Sequence, residues 1–115
     1  MKYTGGCHCG KVRFEAEMEI EKALECNCSI CTKRGSLLVF IPQTDFKLSS
    51  GEEALTEYQF NKMIIHHYFC KFCGVLPFAA GNSPDGTLMR GINIRCLDKI
   101  DLEKIPVTMF NGKDI

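Results

Sequence analysis

The sequence predicts a small, mainly β protein built of antiparallel strands with little helix. Three observations predict it: short segments in which apolar and polar residues alternate with a period of two, turn residues that separate them at regular spacing, and cysteines clustered in the manner of metal knuckles. At 115 residues and 13.0 kDa the chain has the size of one domain with a modest core. Residues 1–115 read as a single unit, with no repeat, low-complexity tract or linker.

Val12, Phe14 and Ala16 alternate with Arg13, Glu15 and Glu17, the pattern of a strand with one buried face. A turn or two of helix is expected after Ser29. Leu37 to Ile41 is a short apolar run that Pro42 closes. Phe46 and Leu48 alternate up to the turn Ser49-Ser50-Gly51, and Thr56 to Phe60 alternates up to Asn61-Lys62. Met63 to Phe69 is rich in β-branched and aromatic residues and runs directly into Cys70. Ser83-Pro84-Asp85-Gly86 reads as a turn, after which Leu88, Arg90, Ile92 and Ile94 share one face of a strand. A second short helical turn is expected around Asp101 to Lys104.

Lys plus Arg equals Asp plus Glu at 14 each, so net charge offers no basis for nucleic acid or an anionic membrane as partner. The longest apolar run, Leu37 to Ile41, falls far below the roughly 18 residues of a spanning helix. Met1 leads through Lys-Tyr-Thr-Gly-Gly straight to a cysteine, without the pattern of a secretory signal, and a cytosolic location is expected.

There are eight cysteines. In a secreted chain an even number suggests a disulfide framework, whereas in a reducing cytosol clustered cysteines read as metal ligands. Their spacing is Cys7-x-Cys9, Cys26-x-Cys28-x-x-Cys31 and Cys70-x-x-Cys73, with Cys96 alone. A C-x-x-C turn followed by Gly74 lets the chain reverse tightly while backbone N–H groups face the sulfurs. Cys7-His8-Cys9-Gly10 is its natural partner, and together Cys7, Cys9, Cys70 and Cys73 make a closed structural zinc site. That cross-link would tie the N-terminus to a distant strand. Cys26, Cys28 and Cys31 are left as a set of three, and three protein ligands with one free position is how zinc is held when it must bind water or substrate.

Two other arrangements fit the same spacing: Cys96 could complete a second closed site, or the triplet could share ligands with the first cluster. Cys96 follows an apolar strand and reads more simply as a small buried hydrophobe. His66 and His67 are adjacent on a strand and point to opposite faces, so they do not share one ion, and His8 lies between two ligands with its side chain directed away. Lys33 and Arg34 follow Cys31 within one turn, where they could offset thiolate charge, attract an anionic ligand, or simply be solvated.

Four segments, GGCHCGKVRFE from Gly5, CNCSICTKRGS from Cys26, YFCKFCGVLPF from Tyr68 and GINIRCLDKIDLEKIPV from Gly91, occur in the order of a known family. The chain resembles the glutathione-dependent formaldehyde-activating enzymes, a family that also includes centromere protein V. The resemblance implies antiparallel sheets meeting in a β-tent. It also implies two zinc ions, a structural one on Cys7, Cys9, Cys70 and Cys73 and a catalytic one on Cys26, Cys28 and Cys31. The implied reaction joins glutathione and formaldehyde into S-hydroxymethylglutathione, a carbon–sulfur lyase running in the synthetic direction. A non-enzymatic zinc interaction module and a thiol redox sensor are the other function classes compatible with these residues.

Overall fold

The computed structural model describes residues 1–59 and 65–111. The end of the Thr56 to Phe60 run, the Asn61-Lys62 turn and the first residues of the Met63 to Phe69 run lie outside the described residues. Two sheets make up the fold. The smaller has strand order β1 (Lys2–Gly6), β2 (Arg13–Glu17), β5 (Phe46–Ser50), all antiparallel. In β2, Phe14 and Ala16 are buried while Glu15 and Glu17 face outward, as the alternation predicts.

The larger sheet runs β10 (Val107–Phe110), β3 (Ala23–Cys26), β4 (Leu38–Pro42), β9 (Leu88–Asn93), β8 (Phe78–Asn82), β7 (His66–Cys70), β6 (Leu55–Tyr58). One pairing departs from the antiparallel expectation. β10 lies parallel to β3, with Val107 opposite Ala23 and Phe110 opposite Cys26. Parallel neighbours need a long crossover, and nearly the whole chain between β3 and β10 supplies it. The expected helix is α1 (Ser29–Arg34), and the expected turn near Asp101 is a 3-10 segment at Leu102–Lys104.

The two sheets meet over an aromatic seam. The Phe46 ring from the small sheet lies 5.7 Å from Phe14 and 4.6 Å from Phe78 of the large one, and Phe78 lies 5.2 Å from Tyr68. Offset and tilted rings at such separations add attraction beyond the area they bury. Ile92 and Ile94, both fully buried, complete this core. At the surface Arg13 pairs with Asp98, whose carboxylate also accepts a 2.7 Å hydrogen bond from Thr4, linking the small sheet to the segment after β9.

A second, smaller core of Cys7, Val12, Ala54 and Cys70 lies beneath the first pair of cysteine turns. Gly51 sets its geometry. Its φ is +89°, and a Cβ there would stand 2.2 Å from the Lys11 carbonyl oxygen and 2.7 Å from the Val12 Cα, both backbone atoms. Gly51→Ala should therefore cost about 2 kcal/mol or more, from left-handed strain together with displacement of the Lys11–Val12 backbone. Urea unfolding of the metal-loaded protein is the check, with a lower midpoint expected at unchanged slope.

Candidate metal centres

The first centre is built from two strand connections. Between β1 and β2 the Cys7 N–H donates to Val12 O at 3.1 Å and the Gly10 N–H to Cys7 O at 3.3 Å, folding Cys7 and Cys9 back on themselves. Between β7 and β8 the Gly74 N–H donates to Cys70 O at 2.7 Å and the Cys70 N–H to Val75 O at 3.0 Å. Gly74 has a φ of +81°, the conformation this reversal requires. The Lys71 N–H bonds Ala54 O at 2.8 Å and anchors the second turn to the small core.

The Sγ atoms of Cys7, Cys9, Cys70 and Cys73 all lie within 4.8 Å of one another. Cys7 and Cys9 are separated by 3.6 Å, and Cys9 and Cys70 by 3.7 Å. Sulfurs about 2.3 Å from a tetrahedral ion stand about 3.8 Å apart, whereas a disulfide would bring them to about 2.05 Å. The four thiols therefore fit a four-coordinate metal such as zinc. The Val12 N–H, 3.4 Å from Cys7 Sγ, is one of the backbone dipoles that favour a thiolate there. Without metal, burial pushes the Cys73 thiol up. Hydrogen bonds from the Val75 and Cys9 N–H groups and from the thiols of Cys70 and Cys7 outweigh it and bring Cys73 down to about 6.

The second centre lies at the end of the large sheet. Cys26 closes β3, Cys28 occupies the N-cap of α1, and Cys31 sits within that helix. Their Sγ atoms also lie within 4.8 Å of one another, and among the described residues no further His, Cys, Asp or Glu atom joins the group. The Cys28 N–H faces Cys26 Sγ at 3.5 Å. α1 ends at Gly35, whose N–H returns to Cys31 O at 2.9 Å. Burial raises the Cys31 thiol, with the neighbouring Cys28 and Cys26 adding to it. Cys28 is lowered, because N–H groups of Cys31 and Ile30 and the two other thiols overcome its own burial. Three sulfur donors so placed also fit zinc, with one coordination position unfilled by the described residues.

The remaining predicted residues stand apart from both sulfur groups. Cys96 is half-buried, directs its thiol to Leu76 O at 3.6 Å, and is pushed up to about 11, chiefly by burial. His8 is exposed. His66 is hydrogen-bonded to Glu57 at 2.5 Å, and His67 is buried, its basicity lowered by burial and then by the Arg34 and His66 charges.

Sequence reasoning missed two features near the second centre. One is the brace from β10: the Asn27 N–H bonds Phe110 O at 3.1 Å and its side-chain amide bonds Asn111 Oδ1 at 2.9 Å, fixing the residue between Cys26 and Cys28. The other is a cleft of about 460 Å³ lined by Ser29, Ile30, Lys33 and Arg34 of α1 and by Tyr58 and Phe69 of β6 and β7. An asparagine between two ligands was the one available signal for the brace. The cleft had none, because it joins segments distant in sequence.

Fold and site together define a mainly β protein with two cysteine clusters that can each hold a metal ion. The sequence matches the family described as glutathione-dependent formaldehyde-activating enzyme over residues 2–111, and the chain belongs to that family. It is also similar to a crystal structure of a Rhodobacter sphaeroides protein, solved as a structural-genomics target. The two share 31% identity and a TM-score of 0.79, covering 91% of this chain and 99% of the other.

Proposed function

We propose that the chain, acting as one domain over residues 1–115, is a carbon–sulfur lyase of the kind its family is named for. It joins a thiol, glutathione by default, to a small carbonyl, formaldehyde by default. Family membership supports the reading, and one observation carries it: Cys26, Cys28 and Cys31 converge without a fourth protein donor among the described residues, beside an open cleft. In this reading each chain carries two zinc ions, a structural one on Cys7, Cys9, Cys70 and Cys73 and a catalytic one on Cys26, Cys28 and Cys31. Zinc held by three cysteines supplies an open position at which a thiol is deprotonated at neutral pH.

The protein's own share is positioning and charge. The β3–α1 junction and the Asn27 brace fix the three sulfurs, and the cleft along α1, lined by Ser29, Ile30, Lys33 and Arg34 and not by the cysteines themselves, offers room for the rest of the thiol. Lys33 and Arg34 border that cleft and offset part of the charge of three thiolates. The thiolate sulfur gives its electron pair to the carbonyl carbon, a carbon–sulfur bond forms, and the carbonyl oxygen takes a proton from water. No oxidant or reductant is needed.

The described residues include no helix long and apolar enough to cross a membrane. All eight cysteines are free, a state that persists in the reducing cytosol, where we place the protein. The test is NMR of formaldehyde and glutathione with and without zinc-loaded protein, the spontaneous reaction being subtracted. A faster approach to the S-hydroxymethyl adduct is expected, and an unchanged rate rejects this substrate pair.

A second reading, a non-enzymatic interaction module, draws on Phe72. This ring is 60% exposed at the tip of the β7–β8 turn, with the Lys11 and Lys71 ammonium groups 5.1 and 5.4 Å from its centroid. One zinc per chain with three free thiols at Cys26, Cys28 and Cys31 would favour it.

A further inference from the structure

The large sheet ends in β10, and the two edges of that strand are unlike. Its inner edge is in use: the Ala23 N–H bonds Pro106 O at 2.9 Å and the Asn27 N–H bonds Phe110 O at 3.1 Å. Backbone groups of residues two apart in a strand point the same way, so Thr108 also faces β3, while Val107 and Met109 turn their N–H and C=O groups outward. Among the described residues no strand lies on that side. All four residues of β10 are exposed, Met109 to 57%, and Val107 and Met109 share one face. An uncharged apolar edge with open hydrogen-bonding groups is a template for another strand. The other edge strands are guarded: β1 carries Lys2, β5 carries Lys47 and β6 carries Glu57, each exposed.

We propose that β10 pairs antiparallel with β10 of a second copy of this chain, joining two seven-stranded sheets through their outer edges into a twofold dimer. A twofold axis at Thr108 sets Val107 opposite the partner's Met109 and Met109 opposite the partner's Val107. Both residues then exchange their open N–H and C=O groups across the axis. The same register packs Val107 against the partner's Met109 on one face and sets the two copies of Thr108 opposite each other on the other. Charge selects a second copy over a different protein. A strand that meets another protein can carry a charge its partner matches, whereas a strand that meets its own copy opposes like to like, and β10 carries none. The assembly stops at two, because the large-sheet edges left in the dimer are both β6, with Glu57 on each. The contact lies on the outer edge of the strand whose inner edge braces Asn27, so the β3 end that carries Cys26 is one strand removed from the axis.

Four residues a side make a contact below the standard interface size, so the dimer forms as concentration rises. The test is sedimentation equilibrium of zinc-loaded protein from about 1 μM to about 1 mM, with amide hydrogen exchange read by NMR at the upper end. A monomer–dimer equilibrium is expected within that range, with the amides of all four β10 residues protected in the concentrated wild type. Met109→Lys, at an exposed side chain, should weaken the dimer at least about tenfold and leave the thermal transition of dilute protein unchanged. In that variant the amides at positions 107 and 109 should open, while those at 108 and 110 stay protected by β3. Leu88→Lys, at a comparably exposed apolar position on β9, should leave the dimer intact. A wild type that stays monomeric with open Val107 and Met109 amides overturns the proposal and leaves the edge to a strand of another protein. A dimer that survives Met109→Lys, that Leu88→Lys weakens equally, or whose Val107 and Met109 amides remain open also overturns it, since the contact would then lie on another surface.

Discussion

Cys73→Ser is expected to leave the domain unfolded or insoluble. Among the described residues, the loops carrying Cys7, Cys9, Cys70 and Cys73 rest on a small core of Cys7, Val12, Ala54 and Cys70, with Leu48, Leu55, Cys73 and Val75 packed against it, and three of these are themselves ligands. That core buries too little to hold a β1–β2 loop against a β7–β8 loop unaided. A structural zinc contributes on the order of 10–16 kcal/mol in small domains, whereas the net stability of a whole domain is about 5–15 kcal/mol. Serine nearly matches cysteine in volume, so the change removes a ligand and little packing. The loss should show as absence of a cooperative thermal transition, together with zinc released to a chromogenic chelator. A soluble, cooperatively folding variant would place the folding free energy elsewhere, in the Phe14–Phe46–Phe78 seam.

Cys28→Ser is expected to do the opposite, keeping the fold and losing the activity. Cys28 holds the N-cap of α1 in an extended conformation, and its side chain makes no capping hydrogen bond. Serine is among the preferred residues at that position, so the helix loses nothing and can gain a cap. The variant lacks one of three donors, and a two-sulfur site should not retain zinc against a chelator. Metal catalysis of this kind is worth several kcal/mol, so the rate above the spontaneous background should fall at least about 100-fold. Thermal denaturation and the NMR rate, measured on the same sample, separate the two effects.

The contrast between these variants reflects where each cluster sits in the chain. The first joins loops 61 positions apart at Cys9 and Cys70 and so closes the fold. The second lies within six residues of one strand end and one short helix, next to the edge strand of the large sheet. Removing a local site leaves the longer-range contacts intact.

Much of this organisation was legible in the sequence, for a physical reason. β2 buries Phe14 and Ala16 between outward-facing residues, so its alternation shows, and the turn at Ser83-Pro84-Asp85-Gly86 is written in its residue types; of the face expected of Leu88, Arg90, Ile92 and Ile94, Leu88 is exposed and Ile94 lies in the 3-10 turn that follows β9. The two groups of converging sulfurs are the groups that spacing separates, because knuckle geometry is local. Other elements left no pattern. β3 has four residues and lies between β4 and β10, and β10, exposed along its whole length, is paired with β3 across most of the chain. β8, Phe-Ala-Ala-Gly-Asn, has small residues where a strand signal would need bulk. The Asn27–Asn111 brace and the cleft between α1 and Tyr58 likewise require knowing which distant segments meet, and no local pattern encodes that.

The central claim is a division of labour between a closed four-cysteine site and an open three-cysteine site. Zinc counted per chain by elemental analysis, on wild type, Cys28→Ser and Cys73→Ser alongside their thermal transitions, tests it most directly. The account predicts two zinc ions in the wild type, one in a still-folded Cys28→Ser, and loss of the folded state in Cys73→Ser. One zinc in the wild type with Cys26, Cys28 and Cys31 titrating as free thiols, or equal unfolding by both substitutions, would contradict it.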